Sequence, residues 1–342
     1  MESIFDRASW EKYLKGFTIY DCAIVRQHGF CLVLVEQKEN RDILPRTRFL
    51  TVIYDKPITV GSLPMVEAGS FSYTTIASGL NPPEYVAVDM GNLVYSANAK
   101  WKGVEKDIDK VTDMSAPRGG NIVILKVVRV AGQIYALGTY RKIYRRLGQD
   151  QWTEMKSEGH AVPLPDDIKN GEYTTSSFGF KDMCGFNEHD MYAVGGEGDV
   201  WRFDGKQWHY CPFPTNTILE TVACGEDGKV YISDMKGCVW AGRENRWTQV
   251  AEADFGWGSQ PLDSAWFKGR LYLGSQDGLY TLGENKNVVA LENVDSEAPG
   301  MGNCGRVDVS PDGQFLLTAG SFGATLYDGT TWTRLFSGYD FM

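Results

Sequence analysis

The sequence predicts an all-β fold, and three observations carry that prediction. Short apolar runs recur along the 342 residues, each bounded by turn-forming residues. The chain holds 38 glycines and 13% aromatic residues, a composition typical of many short strands joined by tight turns. A Tyr-centred strand and a Trp-centred strand return at intervals of roughly 40 residues. A repeat of this length with four strands predicts a β-propeller of about seven blades.

The first predicted element is a short helix in SIFDRASWEKYL, within residues 1–16. Ser3 is its predicted N-cap, and Ile4, Phe5 and Ala8 would share one face. Residues 17–342 are predicted to form a single propeller domain. Its seven blades are predicted at approximately residues 17–61, 71–113, 121–156, 172–212, 217–251, 260–291 and 303–336.

The second strand of each blade is predicted from a glycine-polar-apolar step followed by Tyr and small residues, as in GQIYALG and GRLYLGS. The aromatic positions are Tyr95, Tyr135, Tyr192, Tyr231 and Tyr272. Their successive separations are 40, 57, 39 and 41 residues, so that one interval carries an insertion.

The fourth strand of a blade is predicted to begin at a Trp that follows an apolar strand and a tight turn. Four residues hold this position: Trp152, Trp208, Trp247 and Trp332. Asp-Gly pairs at Asp204–Gly205 and Asp328–Gly329 predict type I′ turns, because both central residues of that turn need positive φ. Stacking such units around an axis buries their faces, and closing the ring removes the open ends. Recurrence of these Trp residues with the repeat indicates packing.

The segment FGFKDMCGFNEHDMYAVGGEGDVWRFDGKQW resembles the short propeller repeats common in bacterial proteins, and more widely WD-repeat and kelch-like propellers. The resemblance covers residues 120–336 well and residues 80–110 less well. It implies the architecture strongly and the function hardly at all. The Gly-His and Trp-Asp pairs of a WD repeat do not recur with the repeat in this sequence, and YDGTTW only partly approaches the sialidase box, which argues against a glycosidase.

The formal net charge of −10 argues against partners that present phosphate. A nucleic-acid binder or a protein that docks on an anionic membrane needs a basic face, whereas an acidic net charge suits a basic protein partner. The seven cysteines are odd in number and form no CxxC pair, which predicts buried free thiols. The sequence shows no secretory signal pattern and no apolar run of 18 residues, so a cytoplasmic location is expected.

Motifs that would carry chemistry are sparse in this sequence. No two of the four histidines stand three or four residues apart, and no G-x-S-x-G occurs. GGEGD, residues 195–199, precedes a strand where a phosphate-binding loop would precede a helix, which predicts a hairpin turn. We therefore expect no metal, no cofactor and no catalytic residue.

Four aspartates are predicted near the first strands of their blades, and first strands line the axis of a propeller: Asp89, Asp182, Asp263 and Asp308. Carboxylates from several blades would then converge in the channel to bind a cation or polar ligand, or to form an acid/base pair. The alternative is that each accepts hydrogen bonds from backbone amides in its own turn.

A binding surface is predicted on the face formed by the linkers between blades and the turns between second and third strands. The linkers supply Phe178, Phe180, Lys181, Phe255 and Trp257, and the turns supply Tyr140, Arg141, Glu197, Asp234, Lys236, Asp277 and Phe322. Aromatic and mixed polar residues are typical of protein interfaces. The alternative is that the linker aromatics pack between adjacent blades.

Three functions remain open at this stage. The first is a non-enzymatic protein-binding module; the bacterial character of the repeat and the acidic charge make an immunity protein against a basic toxin its most specific form. The second is an enzyme that acts on a glycan or metabolite through the channel carboxylates. The third is a carbohydrate-binding module that uses Phe255 and Trp257.

Overall fold

The computed structural model describes residues 3–38, 45–69, 71–112, 122–156, 161–164, 179–253 and 259–342. Twenty-eight strands in these residues form seven four-stranded antiparallel sheets, each built from strands consecutive in the chain. The predicted propeller of seven blades is confirmed.

The strands of blades 1 to 4 are as follows. Blade 1 holds β1 (Phe17–Arg26), β2 (Gly29–Glu36), β3 (Thr47–Ile53) and β4 (Met65–Ala68). Blade 2 holds β5 (Thr74–Leu80), β6 (Pro83–Asp89), β7 (Val94–Ala97) and β8 (Lys102–Val104). Blade 3 holds β9 (Ile124–Val130), β10 (Gln133–Gly138), β11 (Ile143–Gly148) and β12 (Gln151–Glu154). Blade 4 holds β13 (Phe180–Asn187), β14 (Asp190–Gly195), β15 (Asp199–Phe203) and β16 (Trp208–Tyr210).

The remaining strands complete the ring. Blade 5 holds β17 (Leu219–Cys224), β18 (Val230–Asp234), β19 (Cys238–Arg243) and β20 (Arg246–Glu252). Blade 6 holds β21 (Asp263–Phe267), β22 (Arg270–Ser275), β23 (Gly278–Leu282) and β24 (Val288–Ala290). Blade 7 holds β25 (Arg306–Val309), β26 (Leu316–Gly320), β27 (Gly323–Tyr327) and β28 (Trp332–Ser337).

The first strands of neighbouring blades contact one another around a closed circle, from β1 to β5 and onward to β25, which returns to β1. They therefore surround the axis. Because the strands of a blade alternate in direction, the turns fall on two faces. We call the face with the inter-blade linkers and the turns between second and third strands the linker face. The face with the other two turns of each blade is the hairpin face.

The hydrophobic core is divided among the seven junctions between adjacent blades, and each junction has its own buried cluster. At the junction of blades 1 and 2, for example, the rings of Phe49 and Tyr95 stack at 3.9 Å between centroids. Close backbone approach also matters: a Cβ at Gly274 would lie 1.7 Å from the carbonyl oxygen of Gly305 in the next linker. Each blade therefore buries its faces only through its two neighbours.

Blade 2 differs from the prediction. Tyr95 lies in β7, the third strand, and Tyr85 in β6 occupies the second-strand position. The residues of β6, PEYVAVD, begin with proline and lack the glycine-polar start of the repeat. The spacing of 40 residues between Tyr95 and Tyr135 is therefore coincidental, because the two residues lie in different strands of their blades.

Two further expectations need correction. The fourth strand of blade 1, β4, lies beyond the predicted limit of residue 61. The Asp-Gly turns are not type I′, because only the glycines, Gly205 and Gly329, have positive φ. Asp204 instead accepts hydrogen bonds from the backbone N–H groups of Lys206 and Gln207, both at 2.8 Å, and Asp328 caps its turn in the same way.

The N-terminal segment holds the predicted helix, α1 (Arg7–Tyr13), but Asp6 and not Ser3 caps it. The Asp6 carboxylate accepts a hydrogen bond from the Ser9 N–H at 2.7 Å. The segment packs on the last strand: the Ile4 N–H donates to the Leu335 carbonyl at 2.8 Å, and Phe5 contacts Phe336 edge-on. It thereby covers the seam between blades 7 and 1.

A second short helix, α2 (Ile108–Thr112), follows blade 2 and was not predicted. In the described ranges, no helix has both the length and the apolar character needed to cross a membrane.

Candidate functional site

The axial channel is a cavity of about 300 Å³, lined by the first strands of all seven blades. Its wall carries charged side chains of both signs. Together with Arg306 at the start of β25, these are Asp21, Lys126, Arg129, Asp182, Asp263 and Asp308. Three of the four aspartates predicted for the channel are thus brought together there.

The charges in the channel are paired with one another. Lys126 contacts two carboxylates, with its Nζ 2.7 Å from Asp263 and 3.1 Å from Asp182. Arg306 lies 3.5 Å from Asp263. Arg129 reaches across the axis to Asp308 at 2.8 Å. The channel therefore contains an internal ion network.

The same carboxylates also join consecutive blades through the backbone. Asp21 accepts a hydrogen bond from the Ile76 N–H of blade 2 at 2.9 Å. Asp182 accepts one from the Val222 N–H of blade 5 at 3.0 Å, and Asp308 accepts one from the Ile24 N–H of blade 1 at 2.8 Å. Each aspartate thus acts as a clamp from its own first strand to the next, a role that neither sequence-based interpretation anticipated.

Burial governs how these groups titrate. It raises the pKa of Asp21 to about 7; Arg306 opposes this shift, and the negative charge of Asp263 adds to it. Burial also raises the pKa of Asp182 and of Asp308, against the attraction of Lys126 and Arg129 respectively. Burial acts in the same direction on Asp263, but Lys126 and Arg306 outweigh it, so that its pKa lies below the ordinary value.

Asp89, the fourth predicted channel residue, lies elsewhere. It ends β6, the second strand of blade 2, and its buried carboxylate accepts hydrogen bonds from the N–H groups of Ser72 and Leu93. This misplacement has the same cause as that of Tyr95, since the repeat spacing assigns β7 as the second strand of blade 2. Asp89 matches the alternative interpretation, a carboxylate that satisfies nearby backbone amides.

The cysteines are free thiols, and three of them line the channel: Cys22, Cys184 and Cys224. Burial, followed by the neighbouring Cys224 side chain, raises the pKa of Cys184 well above its ordinary value. Across the described ranges, no three His, Cys, Asp or Glu side chains are grouped so that they could hold a metal ion.

Four residues predicted for the binding surface are buried. Phe180 packs between blades 3 and 4, with its ring 6.3 Å from that of Trp208. Arg141 forms a bidentate ion pair with Asp199 at 2.6 and 2.7 Å, and Tyr140 beside it is buried. Asp234 accepts hydrogen bonds from the N–H groups of Lys236 and Cys238 and from the Trp240 indole.

These four placements correct the prediction, because side chains so buried cannot contact a partner. For Phe180 the alternative, packing between blades, is the structural role.

The other predicted residues with described positions do reach the surface of the linker face. Glu197, Lys236 and Asp277 are exposed, and Phe322 is half-buried. Lys181 is partly exposed and pairs with Glu220 at 2.8 Å. Phe178, Phe255 and Trp257 lie outside the described residues.

Large exposed apolar side chains cluster on the linker face around blades 7, 1 and 2. We call them the apolar arc: Tyr73, Met90, Met301, Tyr339 and Met342. Tyr73 is 67% exposed and Met301 is 68% exposed. None was predicted, because a single Tyr or Met in a linker has no pattern that separates a surface residue from a packed one.

Short contacts connect the members of the arc. The Met90 N–H donates to the Tyr73 carbonyl at 3.0 Å, and Phe322, whose N–H bonds Gly302, packs 5.5 Å from the Tyr339 ring. The two parts of the arc, in blades 2 and 7, are joined through blade 1: the Ile19 N–H donates to the Ser321 carbonyl at 3.1 Å, and the Tyr20 ring lies 6.1 Å from the Tyr73 ring.

The chain resembles a protein of Pseudomonas aeruginosa named Immune protein Tsi7, with 31% identity over 220 residues. The match covers 64% of this chain and 65% of the length of that protein, just under two thirds. No protein-family model matches the chain.

Three solved structures share the fold at low sequence identity. The WD40 β-propeller domain of Doa1 matches 93% of this chain and 92% of its own, with a TM-score of 0.55 and 8% identity. YCF48 bound to D1 peptide matches 92% and 94%, with a TM-score of 0.53 and 13% identity. U3-55K matches 88% of each chain, with a TM-score of 0.54 and 10% identity. These likenesses concern the propeller architecture alone.

Proposed function

We propose that this chain is an immunity protein, a non-enzymatic propeller that binds a toxin and neutralises it in the bacterial cytoplasm. The observation that carries the proposal is the 31% identity over 220 residues with Immune protein Tsi7. A propeller suits this role because a rigid ring presents a wide rim of loops without any need for catalytic groups.

The apolar arc is the proposed centre of the toxin-binding surface. Aromatic and methionine side chains are enriched at protein interfaces, and a few such residues usually carry most of the binding free energy. Tyr73 and Met301 are the most suitable anchors, because each is about two thirds exposed and stands on a backbone tied to the rim.

The charge of the chain supports a basic toxin as the partner. The net charge of −10 would speed the encounter with a positively charged protein and would make that encounter sensitive to salt. Exposed Glu197 and Asp277 on the linker face lie where such a partner would approach.

The chemistry of the channel supports a non-enzymatic role. A general acid or base must be able to reach the proton of a substrate. Both oxygens of Asp21 are engaged by the N–H groups of Cys22 and Ile76. Asp182, Asp263 and Asp308 are each held by a cation of the wall. Their arrangement fits the maintenance of the ring better than turnover.

The test is an affinity capture of the tagged protein from its own cells, with the captured proteins identified by mass spectrometry. We expect one partner near 1:1 stoichiometry. We also expect that partner to inhibit growth when it is expressed in cells without this chain. A Tyr73→Ala/Met301→Ala variant should lose the partner while it keeps its unfolding midpoint.

The matched control is Leu147→Ala/Tyr210→Ala, which removes two exposed apolar side chains away from the arc. It should retain the partner. A Phe255→Ala/Trp257→Ala variant tests the linker aromatics predicted from the sequence. If the unaltered chain captures no stoichiometric partner, or captures one that is harmless to the cell, the immunity proposal fails.

A further inference from the structure

A groove of about 630 Å³ opens between blades 1 and 2, far from the apolar arc. It reaches the hairpin face, because the end of β1 and the turn between β7 and β8 contribute to it. Its apolar lining includes Val25, Ile53, Tyr85, Ala97 and Trp101. A cavity of this size and character is typical of sites for small molecules.

One hydrogen-bond donor in the lining of the groove has no partner. The Trp101 indole Nε1 is buried and forms no hydrogen bond among the described residues. Buried donors are normally satisfied, so a small turn of the indole that brought Nε1 to an acceptor in the groove would be favourable.

The position of Trp101 is fixed by its own loop. The Asn98 side-chain oxygen accepts hydrogen bonds from the N–H groups of Lys100 and Trp101 at 2.8 and 2.9 Å. The backbone that carries the indole is thus ordered before any ligand arrives, which lowers the ordering cost of binding.

The rim of the groove is positively charged. Lys100 and Lys102 are exposed, and neither forms an ion pair in the part of the chain that the structure describes. Arg26 is neutralised by Asp55 at 2.8 Å. The lining carboxylate, Glu84, is fully buried and held by Arg146 at 2.9 and 3.0 Å. Two cations therefore remain uncompensated beside an apolar floor, on a chain of net charge −10.

We propose that this groove binds a small amphipathic anion, an aromatic or branched aliphatic carboxylate. The apolar body would lie on Ile53, Tyr85 and Trp101. The carboxylate would accept a hydrogen bond from the Trp101 indole and pair with Lys100 and Lys102. The inference is independent of toxin binding, because the groove and the apolar arc are on different faces.

Isothermal titration calorimetry with 2-naphthoate and its neutral analogue 2-naphthamide tests the proposal. We expect saturable 1:1 binding of naphthoate and clearly weaker binding of the amide. Lys100→Gln/Lys102→Gln should weaken naphthoate binding about tenfold, as expected for lost charge-assisted contacts. The same variant should leave the amide unchanged.

The control variant is Lys12→Gln/Lys15→Gln, which removes two lysine charges at and just beyond the C-terminal end of helix α1 and should bind naphthoate normally. Trp101→Phe keeps the apolar surface and removes the indole donor, so it should weaken naphthoate more than naphthamide. Absence of saturable naphthoate binding, or equal binding of acid and amide, would overturn the proposal. An equal loss in the control variant would do the same, since it would reflect net charge alone.

Discussion

The axial channel and the linker face differ in the type and the burial of their prominent side chains. In the channel, ionisable side chains turn toward one another and toward the backbone of the next blade, and they are nearly all buried. On the linker face, the large apolar side chains of the apolar arc are exposed to solvent. Ionisable groups can thus be the structural part of a propeller, and the surface proposed here for partner binding is built from exposed aromatic and methionine side chains.

The buried charges of the channel are expected to contribute most to the stability of the fold. Lys126→Met leaves Asp182 and Asp263 without their shared cation in a buried site. Loss of one partner from a buried ion pair typically destabilises a protein by about 3–5 kcal/mol. Urea denaturation should show this loss, and partner binding per folded molecule should be unchanged. Lys236→Met on the linker face should change stability by less than about 0.5 kcal/mol; equal effects would mean that the channel charges are solvated.

The apolar arc on the linker face is expected to contribute to partner binding and not to stability. Tyr73→Ala and Met301→Ala should each weaken binding of the captured partner, and together they should weaken it by about 2 kcal/mol, roughly 30-fold. Their unfolding midpoints should match that of the unaltered chain, because both side chains are exposed. Biolayer interferometry measures the affinity. A comparable loss in Tyr210→Ala, outside the arc, would show that the arc is not the contact surface.

Asp21 in the channel is expected to make the stability of the fold depend on pH. Because the pKa of Asp21 is raised to about 7 in the folded state, the folded chain holds a proton there that the unfolded chain releases near pH 4. The stabilisation from this group is therefore complete below about pH 4 and is lost as pH rises to about 7, with a slope of at most about 1.4 kcal/mol per pH unit.

Asp21→Asn resembles the protonated form and should remove this contribution. The difference in unfolding free energy between the variant and the unaltered chain should grow in favour of the variant from pH 4 to pH 7. A flat difference for Asp21→Asn would show that Asp21 is ionised throughout this range.

The N-cap of helix α1, at the seam between blades 7 and 1, is expected to make a smaller contribution to stability. Asp6→Ala removes the N-cap of α1 and should destabilise the chain by about 1 kcal/mol. Ser3→Ala, at the cap position predicted from the sequence, should have a smaller effect, because the Ser3 hydroxyl lies outside the helix. Thermal unfolding of both variants measures the difference, and a larger loss for Ser3→Ala would contradict the observed cap.

The sequence was sufficient to predict the architecture because similar packing repeats in blades 3 to 7. The Trp of the fourth strand and the Tyr of the second strand meet the same environment each time, so they recur. The strands of blade 2 were mispredicted for two reasons. Pro83 replaces the usual glycine-polar start of the second strand, and Tyr95, which resembles the second-strand Tyr of the repeat, lies in the third strand. Where a blade departs from the repeat, the strand register cannot be assigned by spacing.

The candidate surface was less accessible from the sequence, because burial of a turn residue depends on the neighbouring blade. Arg141 and Glu197 occupy equivalent turns, yet Arg141 is buried by its pair with Asp199, 58 residues away, whereas Glu197 is exposed. The channel aspartates were placed near the axis from the repeat, but their pairing with Lys126, Arg129 and Arg306 depends on contacts across the ring. Periodicity carries no record of such contacts.

The contacts that cover the seam between blades 7 and 1 connect the most distant parts of the chain. The Ile24 N–H bonds Asp308 across 284 residues, and Arg7 bonds the Phe341 carbonyl across 334. Each junction within the ring can form from neighbouring segments, but this one must wait until both ends are present and ordered. Contacts of such sequence separation are the slowest to form, so closure of the seam is the expected last step of folding and sets its rate.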